Sequence, residues 1–78
     1  MKNKLRKFIY RKLISYCKWR RKRFRASKLN NLEKWQECKD LDYHDGARWF
    51  MSRAADDNIK ITYCDNKIKQ LKYLISKI

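Results

Sequence analysis

Five of the six residues from Arg20 to Arg25 are cationic, Lys18 adds another charge, and Trp19 and Phe24 lie among them. Such a run can neutralise phosphates while its rings stack on unpaired bases. Lys7 and Arg11 extend the charge toward the N-terminus. The candidate nucleic-acid-binding set is therefore Lys7, Arg11, Lys18, Trp19, Arg20, Arg21, Lys22, Arg23, Phe24 and Arg25. The bland alternative is a solvated basic helix end, which would still bind RNA and DNA without specificity.

Other chemistry is sparse. His44 stands between Asp42 and Asp45 beside Tyr43, an arrangement in which a carboxylate could orient a general base. It is the only histidine, however, so a second acid-base partner is missing, and a metal site built on these three residues lacks ligands for the same reason. A capping or surface role is expected. Cys17, Cys38 and Cys64 are odd in number and widely spaced, without the short pairs that preorganise zinc or the even count of a disulfide framework. They read as packed thiols of a reducing, cytoplasmic compartment. No catalytic residue, metal or cofactor is expected, and the chain reads as a binding protein rather than an enzyme. Trp49 lies off the stripe made by Ala47, Phe50, Met51 and Ala54, with Arg53 one turn on. Trp49 and Arg53 are candidates for a protein contact, the alternative being that Trp49 packs on the first helix.

The elements that must carry these residues fit within 78 residues, one domain at most, and too short for a deep catalytic cavity. Twenty-two Lys and Arg against eight acids give a formal charge of +14, which calls for a polyanionic partner. The charge is unevenly laid out. Residues 1–28 hold thirteen bases and no acid, residues 29–58 four bases and seven acids, and residues 59–78 five bases and one acid. With no Pro and Gly46 as the only glycine, nothing marks a linker. The apolar residues near the N-terminus are interrupted by Arg11 and Lys12, so neither a signal peptide nor a spanning helix is expected.

Periodicity predicts an all-α or mainly α fold, a compact single domain over 1–78 of three to four helices with a long basic N-terminal helix. Leu5, Phe8, Ile9, Leu13, Tyr16 and Trp19 share one side of a basic amphipathic helix over 1–25. Ser27 or Asn30 can cap a second helix, and Asp42 with Asp45 resembles the start of a third that stops at Asp56, Asp57 and Asn58; together these form an acidic-balanced middle over 28–55. Ile59, Ile61 and Tyr63 alternate with polar residues, so 59–63 reads as a short strand or an extended loop. Asp65 or Asn66 can cap a last amphipathic helix over 66–78. The expected core is Leu5, Phe8, Ile9, Leu13, Tyr16, Leu32, Trp35, Phe50, Met51, Ile68, Leu71, Leu74 and Ile75. So small a core leaves apolar surface uncovered, which favours a homo-oligomer.

For function, RNA is favoured over DNA, because arginine-rich helices suit folded RNA and no helix-turn-helix spacing, zinc-finger pattern or zipper heptad is evident. A second class is a protein-binding inhibitor acting on a host enzyme, directly through the acidic middle segment or bridged by RNA. A third, weaker class is membrane-surface action by the first helix, since Phe8, Tyr10, Tyr16 and Trp19 would also lie on anionic lipid. The wealth of Lys, Ile, Asn and Tyr, seen in Lys18 to Arg25 and Asp57 to Ile61, resembles small phage accessory proteins of the host-takeover or counter-defence kind. That resemblance is compositional and implies host-virus interaction in the host cytoplasm, with no residue role attached.

Overall fold

The computed structural model describes residues 2–78; the first residue of the unit expected over 1–78 lies outside them. Two helices account for the described chain, α1 (Lys2–Asp40) and α2 (His44–Lys77), folded back on each other as an antiparallel hairpin. On α2, Ala47, Ala54, Ile61, Ile68 and Ile75 recur every seven residues, and Phe50, Asp57, Cys64, Leu71 and Ile78 repeat that step three positions on. On α1, Tyr10, Cys17, Phe24, Asn31 and Cys38 alternate with Ile14, Arg21, Lys28 and Trp35 in the same rhythm. All of these residues are buried or half-buried. A repeat of 3.5 residues keeps one seam of each helix facing the other along its whole length.

The structure corrects the expected three or four helices to two, and the compact domain to a rod of 61 × 14 × 12 Å. Its radius of gyration is 17.6 Å, against about 11–12 Å for a compact chain of this length. The boundaries anticipated at 25–28, 55–58 and 65–66 do not interrupt either helix. Ser27, Asp57 and Asp65 are not end signals, because their side chains bond across the seam instead of capping a backbone. No strand forms at 59–63, and Ile61 faces α1 from within α2. Heptads run through both helices and close the chain on itself, with Arg21, Lys28, Asn31 and Asp57 occupying places where an apolar residue is customary.

The helices reverse through a tight C-terminal cap. Tyr43 N–H donates to Cys38 O at 2.7 Å and Asp42 N–H to Lys39 O at 3.1 Å, the bonding of a Schellman motif. Asp42 takes the left-handed position, φ 55°, usually held by glycine. Glycine is needed four residues later for another reason. A Cβ on Gly46 would lie 2.5 Å from Cδ1 and Cε1 of Tyr43 and 3.0 Å from Cys38 Sγ, so a side chain at position 46 would displace the Tyr43 ring from the turn. Asp45 in the first turn of α2 then faces the positive end of the helix dipole.

The buried apolar residues are Ile14, Ala47, Ala54, Ile61, Cys64, Ile68 and Leu71. Ile68 and Leu71 match the expected core; Leu5, Phe8, Ile9, Leu13, Tyr16 and Met51 do not and are exposed. The error lies in α1, whose more apolar side points outward while a mixed side carrying Ile14, Cys17 and Arg21 faces α2. Midway along the seam, Asp57 and Asn31 are 7% and 5% exposed. Ser27 Oγ and Asn31 Nδ2 both donate to Asp57 Oδ2, at 2.7 and 3.0 Å. A satisfied polar cluster of this kind selects one register, because sliding either helix by a turn would strand its donors.

Candidate nucleic-acid interface

Folding α1 against α2 sorts the charge along the rod. The thirteen bases of residues 1–28 lie beside the five bases and one acid of 59–78, giving the open half a formal +17, while the four bases and seven acids of 29–58 leave the turn half at −3. Antiparallel pairing thus doubles up two basic segments that are far apart in sequence.

The ten residues singled out for nucleic acid do not form one surface, since an unbroken helix distributes consecutive residues around its axis. Arg11, Lys18, Lys22 and Arg25 share one edge of α1 and are exposed. Lys69 and Lys72, exposed on α2, lie along the same edge, and Arg25 and Lys69 are near enough to act on Asp65 between them. Arg21 turns into the seam, where its NH1 donates to Asp65 Oδ1 at 2.6 Å. The hydrogen bond from Arg21 holds the Asp65 carboxyl below its ordinary 3.8 against the opposing effect of desolvation, with the charges of Arg21, Arg25 and Lys69 adding to the lowering. Lys28 donates to Asn58 Oδ1 at 3.1 Å on this edge, and Lys7 is half-buried at a seam position.

The opposite edge is aromatic. Tyr16 and Trp19 stack with centroids 6.2 Å apart and planes inclined by 27°. The Arg23 guanidinium sits 5.1 Å from the Trp19 centroid. Arg20 lies 5.8 Å from Tyr16 and 5.2 Å from Phe24, and donates to Tyr16 Oη at 3.3 Å. Lys60 reaches Phe24 from α2 at 5.5 Å. Leu13, Tyr16, Ile59 and Tyr63 flank a groove of about 500 Å³ that reaches the seam residues Cys17, Phe24 and Cys64, with Arg20, Lys60 and Lys67 also lining it and no acid among its lining residues.

Trp19, Arg20 and Arg23 therefore belong to the aromatic edge, Arg11, Lys18, Lys22 and Arg25 to the basic edge, and Lys7, Arg21 and Phe24 to the seam, with Phe24 on its aromatic side. The reading from sequence missed Lys60, Lys67, Lys69 and Lys72. Their spacing was visible, but their place beside α1 follows only from the direction of pairing. In the turn half, Trp49 is exposed, with Arg53 4.7 Å from its centroid and Phe50 meeting it edge-on at 4.7 Å. His44 begins α2, and Asp42 belongs to the turn.

Among the described residues, no three His, Cys, Asp or Glu side chains gather to hold a metal ion. No helix among them is long and apolar enough to cross a membrane. No family model matches the chain, and neither the curated proteins nor the solved structures contain one significantly similar to it.

Proposed function

We propose that the hairpin is a nucleic-acid-binding protein that prefers RNA and holds phosphates along its basic edge. The observation that carries this reading is the +17 open half, whose basic edge sets Arg11, Lys18, Lys22, Arg25, Lys69 and Lys72 against a single acid already engaged by Arg21. Cations in this density attract a condensed polyanion, and each phosphate they neutralise releases counterions. The preference for RNA rests on the other edge. There the exposed Trp19, with the Arg23 guanidinium 5.1 Å from its centroid, suits an unpaired base, and a stacked base contributes about 1–3 kcal/mol.

Fluorescence polarisation with single-stranded RNA, duplex RNA and duplex DNA of equal length, over a range of salt, tests this. The variant to compare is Lys18→Ala, Lys22→Ala, Arg25→Ala, with Arg21 left in place because it braces the seam. The expected result is a preference for one RNA form and a log-log salt slope smaller by about 2 in the variant, since each lost phosphate contact removes about 0.7 on single strands. Equal binding of all three ligands, with the slope unchanged in the variant, overturns the proposal.

A further inference from the structure

The hairpin leaves more surface in water than its size calls for. Its accessible area is 6502 Å², whereas a compact monomer of 9.7 kDa exposes about 5100 Å². The excess, about 1400 Å², exceeds the roughly 800 Å² that each partner buries in a standard protein interface. Nor does the seam compensate from within, since among the described residues no large side chain is fully buried and the buried apolar set includes two alanines and a cysteine. A two-helix unit of this kind needs a further layer to cover it.

Five of the exposed apolar side chains gather along one side of the rod. Ile9, Leu13 and Tyr16 follow one another on α1 at helical spacing, and Ile59 and Tyr63 flank the same groove from α2. Tyr63 and Ile59 are each 67% exposed. The basic edge differs in being lined by Arg25, Lys28 and the exposed Lys69 and Lys72 beside Leu29 and Leu32. An apolar strip rimmed by polar residues on so small a chain is a surface suited to docking a partner.

We propose that the groove edge is a dimer interface and that its occupant is a second copy of this chain, packed antiparallel as a four-helix bundle. Area and charge both select that occupant. A self-complementary face can bury about the excess area on each copy without any further partner. The antiparallel arrangement sets the −3 turn half of one rod beside the +17 open half of the other, while a parallel one would align two +17 halves. Arg20 and Lys60 hold their charged heads over the Phe24 ring, 5.2 and 5.5 Å from its centroid, so covering the groove leaves each cation with an aromatic partner. The bundle then carries a basic edge on each outer side, with the shared apolar strip between.

Sedimentation equilibrium of the full chain over a range of concentration, free of nucleic acid, reads the assembly directly. A mass of twice 9.7 kDa is expected, and the variant Leu13→Gln, Ile59→Gln, Tyr63→Gln weakens the dimer about 100-fold or more, since each copy loses three apolar side chains from the interface. These positions are exposed in the hairpin and lie outside its seam. Lys22→Ala, Lys69→Ala on the other edge leaves the mass unchanged. A mass of 9.7 kDa at every concentration overturns the proposal, and a dimer indifferent to the groove variant overturns this face. Orientation is read with Ile9→Cys chains under mild oxidation. The antiparallel bundle keeps the two introduced thiols apart and gives no more covalent dimer than the unaltered chain. Rapid cross-linking through position 9 overturns that arrangement. Binding of RNA by the monomeric variant separates this proposal from the function proposed above.

Discussion

The open half and the turn half of the seam share one heptad rhythm and fill it differently. In the open half, Ile14, Ile68 and Leu71 pack together with Tyr10, Cys17 and Ile75 around them. Toward the turn the buried positions are Ala47 and Ala54, preceded by the Asn31–Asp57 cluster. Branched apolar side chains lie where the shell is most repulsive, and small or polar ones where the backbone turn already holds the helices together. The open half therefore supplies cohesion. The middle and the turn supply register.

That contrast is broken most forcefully at Leu71, 3% exposed in the open half. Leu71→Ala should cost about 2–5 kcal/mol, the range for emptying a buried aliphatic site. In a hairpin with so few buried side chains the loss should appear as a large drop in the thermal midpoint followed by circular dichroism at 222 nm. Insensitivity at Leu71 would mean that the open half is not the cohesive one.

The next effect separates cohesion from register. Asp57→Ala should cost about 1–3 kcal/mol, because Asn31 Nδ2 and Ser27 Oγ lose their shared acceptor inside the seam. Replacing both polar partners, Asn31→Leu with Asp57→Leu, should recover most or all of that stability yet admit shifted registers or additional oligomers. Denaturant melts read the first quantity, and sedimentation with line counting in a proton–nitrogen correlation spectrum reads the second. A double variant that melts higher and still shows one species would remove the register role from the cluster.

The same two positions explain how far the fold was legible in the sequence. Helicity was, because the absence of proline and the 3.6-residue spacing of the C-terminal apolar residues leave little alternative. The number of helices was not. Asp57, Asn58, Asp65 and Ser27 have the residue types of helix ends, and only a partner across the seam shows that Ser27 and Asp57 satisfy each other and that Asp65 serves Arg21. Heptads were hidden by those same polar residues, and the choice of inward face on α1 was misled by Leu5, Phe8, Ile9, Leu13 and Tyr16, a more apolar strip than the one that packs. The basic cluster was legible as composition. Its division between two edges and the seam needed the length of the helix and the pairing direction, as did the arrival of Lys69 and Lys72 beside it.

The smallest effect concerns the Arg21–Asp65 pair, which joins the helices within the open half while remaining partly in water. Because Arg21 holds the folded-state carboxyl below its ordinary 3.8, the unfolded chain takes up a proton at Asp65 more readily than the folded one. The stability contributed by the pair is therefore fully present above the ordinary carboxylate value and declines as pH falls through the depressed folded-state value. Measured by urea melts from roughly pH 6 down to pH 2, the difference between the unaltered chain and Asp65→Asn should be constant at the upper end and shrink toward zero at the lower. The variant cancels the background titration of the other acids, which both chains share. A difference that persists undiminished at the acid end would show that Asp65 acts through shape rather than charge, and that Arg21 is free to join the basic edge. A difference that vanishes assigns Arg21 to cohesion of the open half, which leaves Arg11, Lys18, Lys22 and Arg25 as the α1 cations available to a ligand on that edge.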